Sequence, residues 1–184
     1  MTSSLEQLLR RARHILVATH VSPDPDGIGS LLAVGAILDR IGAEHTLLSR
    51  DGVPYDADFL PGIERIVTEA PALFDLAIVL DCSDPRRIGS AADRLSEAFV
   101  INIDHHPTNL LFGDMNVVDV SALSTCQIVY RLAATLGLSL TKDVASCLLA
   151  GLVGDTQCFR IASTDQRALD DAAALMDSGA DLGA

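Results

Sequence analysis

Short apolar runs recur along the chain at Ile15–Thr19, Leu76–Leu80 and Phe99–Ile103, each too brief for a helix and largely free of polar alternation. That pattern predicts parallel strands covered on both faces. Between and after them, apolar residues return every three or four positions, which predicts amphipathic helices. One is expected over Ser30–Arg40, stopped by Gly42, and another from Ser124 to Leu136, with Ser124 or Thr125 as N-cap and Gly137 as stop. Asp143–Leu152 and Thr164–Ser178 complete the set, and Ser4–Arg13, with leucines at 5, 8 and 9, predicts a short helix lying on the sheet. Thr46–Ser49 reads as a further strand, Arg50–Gly62 as an irregular loop with Pro54 and Pro61, and Arg86–Glu97 as a loop and helix.

Strands alternating with helices predict an α/β fold: a parallel β-sheet with helices on both faces, in which ligand groups gather at the carboxyl ends of the strands. A chain of 184 residues fits one domain, residues 1–184, and shows neither a repeat nor a linker. Its apolar runs are shorter than a membrane span and the N-terminus lacks a signal-peptide core, so no membrane partner and a cytoplasmic location are expected. Thirteen basic against twenty-five acidic residues, a net charge of −12, argue against broad electrostatic binding to long nucleic acids. A small phosphorylated substrate held through cations remains compatible with that charge. Cys82, Cys126, Cys147 and Cys158 have no zinc-site spacing and are expected to be reduced thiols with packing roles.

The chemistry concentrates in HVSPDPDGIGS, His20–Ser30, between the first strand and the first long helix. Pro23 and Pro25 hold the residues before them extended, which predicts Asp24 and Asp26 in a rigid turn ahead of the helix. Gly27 and Gly29 are expected to let the backbone turn and approach a ligand. Two further apolar strands end in Asp81 and in Asp104-His105-His106, and the helix after residue 143 delivers Asp155. Acidic and imidazole groups closing three strands predict a metal centre with six ligands: His20, Asp24, Asp26, Asp81, His105 and Asp155. An oxygen-rich set with a few imidazoles suits manganese or magnesium. Six ligands are too many for one tetrahedral ion and enough for two octahedral ions sharing a carboxylate. Two such ions, about 3.5–4 Å apart, activate water against a phosphoryl group, so the expected reaction is phosphoester hydrolysis.

His20–Ser30, Asp81–Asp84, Asp104–His106 and GLVGDT at 151–156 resemble, in order, the four motifs of the DHH phosphoesterase superfamily. The stretches SALSTCQIVYRL at 121–132 and GLVGDTQCFRIASTDQRAL at 151–169 are similar to its bacterial branch of oligoribonucleases that also act as phosphoadenosine phosphate phosphatases. The resemblance implies a Rossmann-like three-layer DHH domain and two Mn²⁺ ions, with Mg²⁺ or another divalent ion as substitutes. His20, Asp24 and Asp81 would hold one ion and Asp26, Asp81, His105 and Asp155 the other, with Asp81 as the bridge. It implies that His106 faces the substrate phosphate and assists the leaving group, and that Asp104 orients the histidine pair. Arg87 is a candidate phosphate contact.

The implied activity is manganese-dependent hydrolysis of short oligoribonucleotides, of the 3′-phosphate of phosphoadenosine phosphate, or both. Cyclic-dinucleotide phosphodiesterase and inorganic pyrophosphatase are rivals within the class, and a non-catalytic nucleotide-binding regulatory module is the rival outside it. Enzymes of this branch carry a smaller C-terminal domain that binds the nucleotide, and no such motif precedes Ala184. The chain is therefore expected to bind metal but to turn over nucleotides poorly without that domain in cis. Leu110, Leu111 and Phe112 are expected to pack against it or against a second copy of the chain, as a homodimer.

Overall fold

The computed structural model describes the backbone of residues 2–181 and the side chains from residue 7 onward. The side chain of Leu5, expected on the apolar face of the first helix, lies outside the described residues. Six strands form one all-parallel sheet: β1 (Ile15–Ala18), β2 (His45–Leu48), β3 (Ile66–Val67), β4 (Leu76–Leu80), β5 (Phe99–Asp104) and β6 (Met115–Val118). Their order is β3-β2-β1-β4-β5-β6. The chain leaves β1 toward β2 on one side and later returns to pair β4 on the other, so the direction of winding reverses between β1 and β4. Crevices in open α/β sheets form at the carboxyl ends of strands at such a reversal.

Successive residues of a strand face opposite sides of a sheet. Ile15, Val17, Leu76, Ile78, Ile101 and Ile103 face the α-helical layer, while Leu16, Ala18, Ala77, Val79 and Val100 face the other side. The helical layer contains α2 (Pro25–Ile41), α3 (Thr125–Thr135), α4 (Lys142–Asp155) and α5 (Gln166–Asp177), with Leu8 and Leu9 of α1 (Thr2–Arg11) against the same core. The other side is covered by Ile88, Ala91 and Leu95. These belong to 3₁₀ segments within Pro85–Glu97, interrupted at Gly89 with φ +70°, where the sequence predicts a loop and a helix over Arg86–Glu97. Among the described residues no helix is long and apolar enough to cross a membrane.

Two features of α2 differ from expectation. The helix starts at Pro25, so Asp24 is its N-cap and Asp26 lies in its first turn, not in a loop ahead of it. Proline at the first helical position has no N–H to leave unpaired and its φ is already helical. Gly27 and Gly29 are therefore helical residues, and closeness to their neighbours is what they supply. A Cβ on Gly29 would stand 2.3 Å from the Cys147 carbonyl of α4, and one on Gly151 of α4 would stand 2.9 Å from the Asp26 Cα. The two helices meet backbone to backbone.

Candidate metal centre

The six predicted ligand positions converge at the carboxyl ends of β1, β4 and β5. Three groups of donor atoms each lie within 4.8 Å of one another: His20, Asp24 and Asp81; Asp26, His105 and Asp155; and Asp81, His105 and His106. Asp81 has φ +53°, a left-handed conformation rarely taken by a residue other than glycine, and it turns the carboxylate into the crevice directly at the strand end. Its two oxygens face different neighbours. Oδ2 lies 3.3 Å from His20 Nε2, whereas Oδ1 lies 3.6 Å from both His105 Nε2 and His106 Nδ1.

Asp24 divides its work in the same manner. Oδ1 accepts the Asp26 and Gly27 backbone N–H groups at 3.0 Å, capping α2, while Oδ2 lies 3.9 Å from His20 Nε2. Asp26 is fully buried, and the first turn of α3 grips it: the Thr125 N–H donates to Oδ2 at 2.6 Å and the Cys126 N–H to Oδ1 at 2.8 Å. Burial and the charges of Asp81 and Asp155 still push its pKa well above the usual carboxylate range, against the opposing pull of His105 and the Cys126 N–H. Asp155, the last residue of α4, is raised as well, by burial and by the Asp81 charge, although contact with His105 opposes it.

His105 supplies the observation that bears most directly on a metal. Its Nε2 is buried and makes no hydrogen bond of acceptable geometry, yet it stands 3.1 Å from Asp155 Oδ2, 3.6 Å from Asp81 Oδ1 and 3.9 Å from Asp26 Oδ2. Burial works to lower its pKa, but the approach of Asp155 and the charges of Asp26, Asp81 and Asp155 outweigh that and raise it to about 9. Among the described residues no lysine or arginine comes within ion-pair distance of Asp26, Asp81 or Asp155. Excess carboxylate around an unpartnered imidazole fits a hard or borderline divalent cation. Gly27 keeps the space open, since a Cβ there would meet Thr19 Oγ1 at 2.5 Å and His20 Nε2 at 3.4 Å.

His106 is placed differently. Asp104 Oδ1 lies 2.7 Å from its Nδ1, and the ring is tilted 54° to that of His105 with centroids 4.4 Å apart. The bond to Asp104 raises the His106 pKa against the effect of burial. Asp104 is completely buried and itself held, by the His105 N–H and by Asn109 Nδ2, which also reaches Asn102 Oδ1. Asn102 in turn donates to the Val79 and Cys82 carbonyls. Neither asparagine nor Thr125 was among the predicted site residues. The polar Asn102 inside an apolar strand was a visible signal, because a buried amide needs partners.

Arg87 does border the site. Its guanidinium lies 3.0 Å from His20 Nδ1, which is also 2.9 Å from the Val21 carbonyl. One nitrogen cannot accept from the arginine and donate to the carbonyl at once. The Nδ1–H tautomer, with Nε2 free for a metal, bonds Val21 and releases Arg87. Of the cysteines, Cys82, Cys126 and Cys147 are buried as expected, but Cys158 is exposed. It lies in a turn where Gln157, Cys158 and Phe159 all have positive φ, which carries the chain outward after Asp155. Leu110 and Leu111 are exposed, whereas Phe112 packs on the smaller core.

The N-terminal domain of the DHH family matches residues 14–152. The chain belongs to the DHH family. A Thermus thermophilus protein named bifunctional oligoribonuclease and PAP phosphatase NrnA is 39% identical over 171 residues, which are 91% of this chain and 51% of that protein. The Bacillus subtilis protein of the same name is 31% identical over 158 residues, 84% of this chain and 50% of that protein. The crystal structure of an exopolyphosphatase-related protein from Bacteroides fragilis has a TM-score of 0.89 at 26% identity, over 97% of this chain and 56% of that one. The DHH chain thus spans about half the length of the curated relatives it matches. The four motifs read from its sequence all border the crevice at the β1–β4 reversal.

Proposed function

We propose that this DHH chain is the metal-binding half of a phosphoesterase that hydrolyses short oligoribonucleotides, the 3′-phosphate of phosphoadenosine phosphate, or both. The observation that carries the reading is the division of Asp81, whose Oδ2 faces the His20–Asp24 group and whose Oδ1 faces His105. Two manganese ions would be held here, one by His20, Asp24 and Asp81 and the other by Asp26, Asp81, His105 and Asp155, with Asp81 common to both sets. Bound there, the ions supply an activated water and neutralise charge on the phosphoryl oxygens.

The chain's own residues do the rest. Asp104 holds Nδ1 of His106, which leaves Nε2 to face the substrate and to give a proton to the departing oxygen. Asn109 and Asn102 keep Asp104 from turning away. Arg87, released by the Nδ1–H tautomer of His20, contacts a phosphate of the substrate. A smaller C-terminal domain, as in the oligoribonuclease branch, completes the nucleotide cleft in cis and raises turnover by positioning.

The test is phosphate release from phosphoadenosine phosphate with and without manganese, beside a dinucleotide, a cyclic dinucleotide and pyrophosphate. Manganese-dependent release abolished by Asp81→Ala is expected, with His106→Ala lowering turnover while metal binding persists. Preference for the cyclic dinucleotide or pyrophosphate would move the chain to the corresponding rival. Stoichiometric metal binding without turnover, even with the C-terminal domain joined, would support a nucleotide-binding module instead.

A further inference from the structure

We infer that Thr125 is a positioning residue that sets the relative placement of Asp26 and Asp81, an inference that rests on the two-metal reading above. Thr125 is completely buried at the first position of α3. It is joined to both carboxylates: its backbone N–H donates to Asp26 Oδ2 at 2.6 Å and its hydroxyl donates to Asp81 Oδ1 at 3.1 Å. Asp26 belongs to the first turn of α2 and Asp81 to the end of β4, so one residue ties together donors from two different elements.

Each bond follows from where α3 begins. The first N–H groups of a helix have no carbonyl partner within it, so the Thr125 amide is free to serve Asp26. Ser124 takes the capping role, its side chain accepting the Gln127 N–H at 3.0 Å. At the first helical position the Thr125 hydroxyl also has no preceding turn to bond back to, and its hydrogen goes to Asp81. The β-branched side chain is stiff about χ1, which fixes the direction of that bond.

Asp81 needs such a bond. The terminal torsion of an aspartate is broad, so packing alone leaves the carboxylate plane poorly defined. The hydroxyl occupies one acceptor direction of Oδ1 and thereby holds Oδ2 toward His20 and the remaining face of Oδ1 toward His105. Without it the carboxylate can turn, and the ion on the Oδ1 side loses a ligand placed in advance. The Asp26 bond comes from the backbone and survives a side-chain change, which makes the two contributions separable.

The experiment is a manganese titration followed by electron paramagnetic resonance of the free ion, on the wild-type chain, Thr125→Val and Thr125→Ser, with melting of each metal-free chain alongside. Valine keeps the shape and the N–H but loses the hydroxyl; serine keeps the hydroxyl and loses the methyl. Two ions are expected on the wild type. Thr125→Val should bind one of them roughly 10–100-fold more weakly, with Thr125→Ser recovering most of that loss whatever the metal-free melting temperatures do. Two ions bound to Thr125→Val with wild-type affinities would overturn the inference, as would equal impairment of the valine and serine variants. Should the valine variant fail to fold, Thr125→Ala carries the same expectation and the same overturning result. Fewer than two ions on the wild type would instead overturn the two-metal reading itself.

Discussion

The two ends of the sheet treat the same residue type in opposite ways. At the amino end, just before β4, Asp75 accepts the Arg13 and His14 N–H groups at 3.0 Å and lies 3.6 Å from the Arg13 guanidinium. Slight burial works to raise its pKa, but those donors and the Arg13 charge outweigh it and hold the carboxyl below its ordinary range. At the carboxyl end, Asp26 is buried beside Asp81 and Asp155 and is pushed well above that range. The first carboxylate is matched by the chain itself. The second belongs to a group short of positive charge, and burying such a group costs free energy unless a cation completes it. Both carboxylates accept two backbone N–H groups, so what tells the one that serves folding from the one that serves a ligand is whether the chain also supplies matching positive charge without crowding further carboxylates beside it.

The sharpest way to break the carboxyl end without removing a donor is Gly151→Ala. The new methyl would meet Cys126 Sγ at 2.4 Å, Asp26 Oδ1 at 2.7 Å and the Asp26 Cα at 2.9 Å, so backbone has to move. Destabilisation of about 1–3 kcal/mol is expected, together with loss of manganese binding. Gly154→Ala, one turn on and meeting only the Pro25 side chain at 3.3 Å, should leave both melting temperature and metal binding close to wild type. Equal behaviour of the two variants in thermal melting and metal titration would show that close α2–α4 packing does not hold Asp26 in place.

A smaller effect is expected from pH. Folding raises the His105 pKa from 6.5 to about 9, so folding favours the protonated ring. The stability this contributes to the metal-free chain is fully present below about pH 6.5 and is lost as pH rises through about 9. Manganese requires the unprotonated ring, so its affinity runs the other way and rises over the same interval with release of protons. The stability difference between wild type and His105→Gln, from melting at successive pH values, should shrink toward pH 9. Calorimetry in buffers of different ionisation enthalpy should show that proton release. A pH-independent difference without proton release would place His105 outside the charged cluster.

The smallest effect belongs to the amino end. Asp75→Ala removes an acceptor from two backbone N–H groups that water can reach, so a loss of about 1 kcal/mol is expected. That corresponds to roughly 2–4 °C in melting temperature for a chain of this size, with metal affinity unchanged. A change in manganese affinity would mean that the two ends are coupled through β4.

How far the fold could be read in advance varied with burial. β1, β4 and β5 announced themselves because strands covered on both faces exclude polar residues from long stretches. β6 was missed: only partly buried at the sheet edge, MNVV carries no such run. β3 has two residues and no period to detect. α2 starts five residues before the Ser30 that its apolar period marks, because an extended Asp24 ahead of Pro25 is also the geometry of an N-cap before a proline at the first helical position. In the site, all six proposed ligand positions were visible because each sits beside an apolar element that marks its place. Thr125 was visible only as a possible cap, and its bond to Asp26 spans 99 positions of sequence.

What the sequence by itself determined is therefore local: the apolar runs that become strands, the helix caps, and the acidic and imidazole groups set at element ends. Those follow from steric preference, hydrogen bonding and hydrophobic patterning within a few residues. Only the tertiary structure decided which donors face one another, that Asp81 turns one oxygen to each histidine group, and that α3 presents its first turn to Asp26. These depend on the winding reversal between β1 and β4 and on glycines that let α2 and α4 touch. Distances between residues a hundred positions apart are set by the packing of whole elements, and no local pattern encodes them.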